Sequence, residues 1–149
     1  MIERYTNPEM GNIWSDQAKY QTWLDVEIAA CEANCKLGKI PQSAMETIRT
    51  KARFKPERIL EIEEEVRHDV IAFLTNVNEY VGDAGRYIHV GMTSSDVLDT
   101  GLALQLKSSV KLLRKELLLL EEAIRDLASQ HKKTVMIGRS HAIHGEPIT

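Results

Sequence analysis

Between Ser15 and Gly38 the apolar residues recur at helical spacing. Tyr20, Leu24, Ile28, Cys31 and Cys35 form a stripe, and Trp23, Val26, Ala30, Ala33 and Leu37 widen it. Ser15 is placed to cap the start of this helix, and Gly38 with Pro41 to close its end. Ser43 followed by Glu46 has the form of a capping box and predicts a second, short helix. A third helical pattern runs from about Pro56 to Val81, with Ile59, Val66, Val70, Phe73 and Val77 on one face. Its regularity does not require an unbroken helix near residue 68. The stretch GDAGRYIHVGMT, residues 82–93, has three glycines and no period, which predicts a loop with at most a short extended piece.

The longest pattern follows, from about Asp96 to His131. Leu106, Val110, Leu113, Leu117, Leu120, Ile124 and Leu127 alternate spacings of four and three, the seam of a left-handed helix bundle. Leu112, Leu119 and Ala123 add a second apolar flank. Some 35 helical residues span roughly 53 Å, whereas a compact domain of this size is about 40 Å across. The seam is therefore expected to need cover that these residues do not supply, from other subunits or from further chain. The closing stretch IGRSHAIHGEPIT, residues 137–149, has no helical pattern and is expected to be a glycine-flexed loop. The fold class these patterns predict is all-α.

Composition narrows the function classes. The chain has 149 residues, of which 43% are hydrophobic and 28% charged, as in globular proteins. A net charge of -3 with no basic run gives no footprint for nucleic acid. The opening MIERYTNPEM lacks the apolar centre of a secretory signal, and no apolar run would span a bilayer, so no membrane partner is expected. Cys31 and Cys35 are the only cysteines, four apart, and are expected to be reduced thiols. A cytoplasmic location is the corresponding expectation.

Four polar clusters lie at helix ends or off the apolar stripes. Arg4 beside Tyr5 can hold a phosphate or carboxylate, and equally can be a solvated pair. Arg67, His68 and Asp69 lie between two stripe valines and must point elsewhere. Asp69 can fix the tautomer of His68, or the three can form a solvated helix face. In HVGMTSSD, residues 89–96, Thr93, Ser94 and Ser95 stand where the long helix begins. They can cap it, and the free N–H groups there also suit an anion. Finally, His141 and His144 flank Ala142 and Ile143 in GRSHAIHGEP. Zinc ligation with His89 is one reading, but no third ligand is placed nearby in sequence; a general acid or base fits a glycine-flexed loop better.

Together these stretches resemble the adenylosuccinate lyase family within the fumarase/aspartase superfamily. The carriers are ERYTNPEMGNIWSD, EVRHDVIAFL, RYIHVGMTSSDVLDT and GRSHAIHGEP, in the family's order and at about its spacing. The resemblance covers the whole chain, and RHDV with the early RY sets it apart from the argininosuccinate lyase, fumarase and aspartase families. Ala142 stands where the family often has glycine, and Gly145 where it often has alanine.

The resemblance implies a β-elimination that releases fumarate from adenylosuccinate to give AMP, and from the succinyl-carboxamide ribotide earlier in purine synthesis. It implies no metal and no organic cofactor. Arg4 and Tyr5 would bind the nucleotide phosphate. Arg67, His68 and Asp69 would line the substrate site, with His89 close by and His68 counted as catalytic too. Thr93 and Ser94 would hold a succinyl carboxylate, and His141 would be the general acid. It further implies an N-terminal domain over residues 1–93 and the start of a central helical bundle over 94–149, in a homotetramer with shared sites. The family's catalytic base lies in an SSxMPxKxNP loop, a motif absent from these residues, so the chain alone is expected to be inactive. A helical oligomerisation module with incidental histidines is the alternative from another class.

Overall fold

The computed structural model describes residues 2–149. After a 3₁₀ turn at Glu3–Tyr5 come α1 (Pro8–Ile13), α2 (Asp16–Lys36), α3 (Gln42–Lys51), α4 (Pro56–Val66) and α5 (Asp69–Val81). A 3₁₀ turn over Gly82–Tyr87 leads to α6 (Ser94–Gln130), then to strands β1 (Met136–Ser140) and β2 (Ile143–Ile148). The fold is all-α apart from this one hairpin. No helix among the described residues is long and apolar enough to cross a membrane.

The chain divides inside α6 into two compact units, residues 1–109 and 110–149. In the first unit the stripes predicted for α2 and α5 meet through aromatic rings. Tyr20 stacks on Phe73 with centroids 6.0 Å apart, and Trp23 meets both edge-on at 5.2 and 5.6 Å. Such pairs add to the area they bury. Met45 and Ile48 from α3, Ile59 and Ile62 from α4, and Val97 from α6 complete the core.

Local rules account for most helix ends. The Ser15 hydroxyl accepts the N–H of Ala18, as an N-cap should. Gly38 stands just past α2 at φ 73, a left-handed position that costs glycine least. The capping box expected at Ser43 does not form: α3 begins two residues earlier than that cap would place it, with Pro41 as its cap and no side-chain bond. Ser43 thus falls inside the first turn, where its carbonyl accepts the Thr47 hydroxyl instead.

Three further expectations are corrected. The loop over residues 82–93 opens with a 3₁₀ turn, because Gly82 (φ 61) ends α5 and lets Ala84 and Gly85 bury themselves. Leu37 and Val66, placed on apolar stripes by spacing, are 70% and 40% exposed, because each lies at a helix end where the chain turns away. The expected loop at residues 137–149 is an antiparallel hairpin, pairing Met136 with Ile148, Arg139 with His144 and Ser140 with Ile143. Its ladder is irregular between Ile137 and Arg139, around Gly138.

The residues expected to form the seam of α6 lie open to solvent. Leu106, Val110, Leu113, Leu117, Leu120, Ile124 and Leu127 are each about half exposed or more.

Candidate active site

The break between α4 and α5 comes from Arg67, which closes α4 in the left-handed region at φ 53 with its N–H on Glu63 O. His68, in extended conformation, starts α5 as its N-cap. The break leaves Val70 fully buried and turns Arg67 and His68 out to solvent, as the spacing predicted. Arg67 makes no ion pair among the described residues and borders an open groove of about 500 Å³ with Leu60, Glu63 and Glu64.

Asp69 Oδ1 accepts the N–H of Val70 at 2.7 Å. His68 Nδ1 lies 3.5 Å from the backbone N of Ile71 and 3.4 Å from Asp69 Oδ1. Both separations are long, and they exclude one another. The first needs a bare Nδ1 to accept, the second a protonated Nδ1 to donate.

Thr93 and Asp96 form half of a capping box. The Asp96 carboxylate accepts the Thr93 N–H at 2.8 Å, and the Asp96 N–H donates to Thr93 O at 3.0 Å. The hydroxyls of Thr93, Ser94 and Ser95 carry no hydrogen bond among the described residues, so capping does not consume them. A helix leaves its first N–H groups unpartnered, and one of 37 residues adds its dipole. What remains for an anion is the hydroxyls together with the N–H groups of Ser94 and Ser95, next to the competing charge of Asp96.

His89 precedes this point and stands at φ 66. Its ring Nδ1 is 2.6 Å from Glu27 Oε1, and its backbone N–H donates to Glu27 Oε2 at 3.0 Å. Glu27 is only 1% exposed. Burial pushes its carboxyl up, and the bonds from His89 oppose that shift. Sequence reasoning missed Glu27. The signal was its position: 20, 24, 27 and 31 continue the buried stripe of α2, so a charge at 27 had to be inside and partnered.

At the N-terminus the Arg4 guanidinium lies 4.8 Å from the centre of the Tyr5 ring, and Tyr5 is 75% exposed. In the second unit His141 and Ala142 form the tip of the hairpin, at φ 50 and 64. Positive φ at both central residues is the geometry of a type I′ turn. His141 and His144 are exposed, and His144 faces Arg139 across the ladder. Among the described residues no three His, Cys, Asp or Glu side chains gather as metal ligands would.

Backbone strain marks the same residues. Among the described residues, the non-glycine positions with positive φ are Arg67, His89, His141 and Ala142. Three of them are candidate site residues and the fourth adjoins His141. Such conformations persist only where the surrounding structure holds them, here a helix end at Arg67 and a turn at His141-Ala142, and they cluster at functional positions.

Residues 3–149 match a family described as lyase, and the chain belongs to that family. It is 70% identical over its full length to adenylosuccinate lyase of Synechocystis sp., and 48% identical to adenylosuccinate lyase of Bacillus subtilis. It spans 35% of the length of each. Among solved structures it resembles a fumarate lyase from Mesorhizobium sp., with a TM-score of 0.85 and 29% identity over 95% of this chain and 34% of that one. A 3-carboxy-cis,cis-muconate lactonizing enzyme from Pseudomonas putida gives a TM-score of 0.87 at 30% identity, over 97% and 34%.

Proposed function

We propose that this member of the lyase family forms the N-terminal third of an adenylosuccinate lyase. It would take part in releasing fumarate from adenylosuccinate to give AMP, and from the succinyl-carboxamide ribotide of purine synthesis. The observation that carries this is the 70% identity to the Synechocystis enzyme across all 149 residues, which include every residue given a role below.

The elimination breaks a C–N bond after a proton leaves the carbon next to a carboxylate. That proton's departure builds extra negative charge on the carboxylate oxygens, and fixed donors lower its cost. Thr93 and Ser94 are assigned to that carboxylate, since their hydroxyls and the start of α6 remain free for it. The departing nitrogen needs a proton, and His141, exposed at the hairpin tip, is assigned as the general acid. His68 is assigned a second catalytic role, with Arg67 and Asp69 beside it and His89 nearby in the substrate site. Arg4 and Tyr5 are assigned to the nucleotide phosphate. No metal or organic cofactor enters the scheme.

The open seam of α6 supports a homo-oligomer, which we take to be a tetramer whose subunits share sites. We place the enzyme in the cytoplasm and the working domain boundary near residue 93. Residues 1–149 lack the SSxMPxKxNP loop, so on their own they are proposed not to turn over. The test grafts residues 1–149 in place of the matching third of the Synechocystis enzyme and follows fumarate release from adenylosuccinate. Turnover by the graft, with none from residues 1–149 alone, is the expected result. A folded graft that binds AMP yet releases no fumarate would overturn the reading.

A further inference from the structure

The carboxylate of Glu27 is the one acidic group among the described residues that is fully buried, and both of its oxygens are spent on a single residue. Oε1 lies 2.6 Å from His89 Nδ1 and Oε2 accepts the His89 backbone N–H at 3.0 Å. A carboxylate withdrawn from water is costly unless its partners are excellent. Here the partner is a residue whose own backbone is strained at φ 66. Packing alone explains neither expense, since a leucine at 27 would fill α2's stripe without a charge to satisfy.

The geometry also orients the ring. With Glu27 ionised, the carboxylate only accepts, and the proton between the two atoms is then one that Nδ1 donates. Nε2 is then the corner of the ring left over. Every buried side-chain nitrogen or oxygen among the described residues has a partner. Nε2 has no partner among the described residues, so it is reached by solvent, in keeping with the 19% exposure of the side chain. Four residues further along the chain stands Thr93, at the start of α6.

We infer that Glu27 is a positioning residue of the substrate site: by clamping both the ring and the backbone of His89, it keeps Nδ1 protonated and turned inward and presents Nε2 to the nucleotide substrate. The inference rests on the proposed reading only in placing His89 at that site. The clamp itself follows from the two bonds.

Glu27→Gln separates positioning from mere support. The amide keeps the shape but has one accepting and one donating end. The backbone N–H of His89 can only donate, so the amide oxygen must go to it, and the NH₂ then faces Nδ1. The ring can satisfy that NH₂ only by moving its proton to Nε2. In the full-length enzyme carrying this chain, ¹⁵N spectra of histidine-labelled protein should show Nδ1 of His89 protonated. In Glu27→Gln, Nδ1 should be bare. The KM for adenylosuccinate should rise roughly ten- to a hundredfold, the size of a lost hydrogen bond to a charged group, with a smaller change in kcat. Glu27→Gln combined with His89→Asn should be no worse than His89→Asn alone.

A bare Nδ1 in the unsubstituted enzyme overturns the inference, and that measurement stands even if Glu27→Gln does not fold. A folded Glu27→Gln with its tautomer moved but its KM unchanged also overturns it, leaving Glu27 a structural clamp. If the enzyme does not act on adenylosuccinate at all, the proposed function fails. The histidine spectra, with binding of AMP read in place of KM, still decide the role of Glu27.

Discussion

Gly101 of α6 lies where Trp23 of α2 leaves no room for a side chain. A Cβ there would meet Trp23 Cδ1 at 2.8 Å and Thr22 Oγ1 at 3.0 Å. Trp23 is held by Tyr20 and Phe73 and is 4% exposed, so it cannot swing aside. Glycine is therefore kept in the middle of a helix, despite its cost of about 1 kcal/mol there relative to alanine. Four residues on, Gln105 donates to Ile13 O at 2.7 Å and ties the end of α1 to the same face.

Gly101→Ala should therefore lower stability, although alanine is the better helix former. Overpacking costs roughly 1–3 kcal/mol, and the helix-propensity gain offsets about 1 kcal/mol of it. A lowered urea midpoint with an unchanged slope is the expected outcome. An equal or higher midpoint would show that α6 does not approach Trp23 this closely.

Alkaline pH should weaken the first unit through Cys31. Burial, with the nearby Glu27 charge adding to it, pushes this thiol up to about 11 from its ordinary 9.0. The unfolded chain therefore loses the proton first, so stability is full below pH 9 and falls as pH rises towards 11. At about 1.4 kcal/mol per pH unit the loss is roughly 2–3 kcal/mol. Cys31→Ala should flatten that part of the decline, while Tyr20, also raised by burial, leaves a remainder. Denaturation midpoints between pH 8 and about 11 measure it, and parallel declines in both proteins would rule Cys31 out.

Ala142→Gly should stabilise the hairpin. Alanine at φ 64 pays a left-handed penalty of roughly 1 kcal/mol that glycine avoids. Slower hydrogen exchange of the β1 and β2 amides is expected. Faster exchange would mean that this turn is not type I′.

The seam of α6 should drive self-association. Leu113 and Leu120 are 53% and 55% exposed, and Leu113→Glu with Leu120→Glu places two charges on the stripe. Sedimentation should show the unsubstituted protein as an oligomer and the double variant shifted to smaller species. A monomeric unsubstituted protein would contradict this.

Helix period and capping residues were legible from the chain because they are local. Tyr20, Phe73 and Val77 needed only their spacing, and Ser15 only its place before a stripe. What was missed is set by geometry that spacing does not carry. His141-Ala142 gives no Asn-Gly turn signal, so the hairpin was invisible. Pro41 pre-empted Ser43 by its fixed φ. Glu27 finds its partner 62 residues away, a pairing that only the folded chain brings together. The candidate residues were named from their chemistry and from the resemblance. The strain at Arg67, His89 and His141 is an independent mark that the sequence did not display.

His141 is proposed as the general acid of an adenylosuccinate lyase, and its substitution is the most direct test of that role. In the enzyme carrying residues 1–149, fumarate release from adenylosuccinate should be measured for His141→Ala and for His144→Ala. His141→Ala should lower kcat by at least the roughly 10²–10⁴-fold that acid–base catalysis contributes, with a much smaller change in KM. His144→Ala should be milder, since under this assignment it only shapes the hairpin opposite Arg139. Near-normal turnover in His141→Ala with a dead His144→Ala would contradict the assignment of His141 as the general acid.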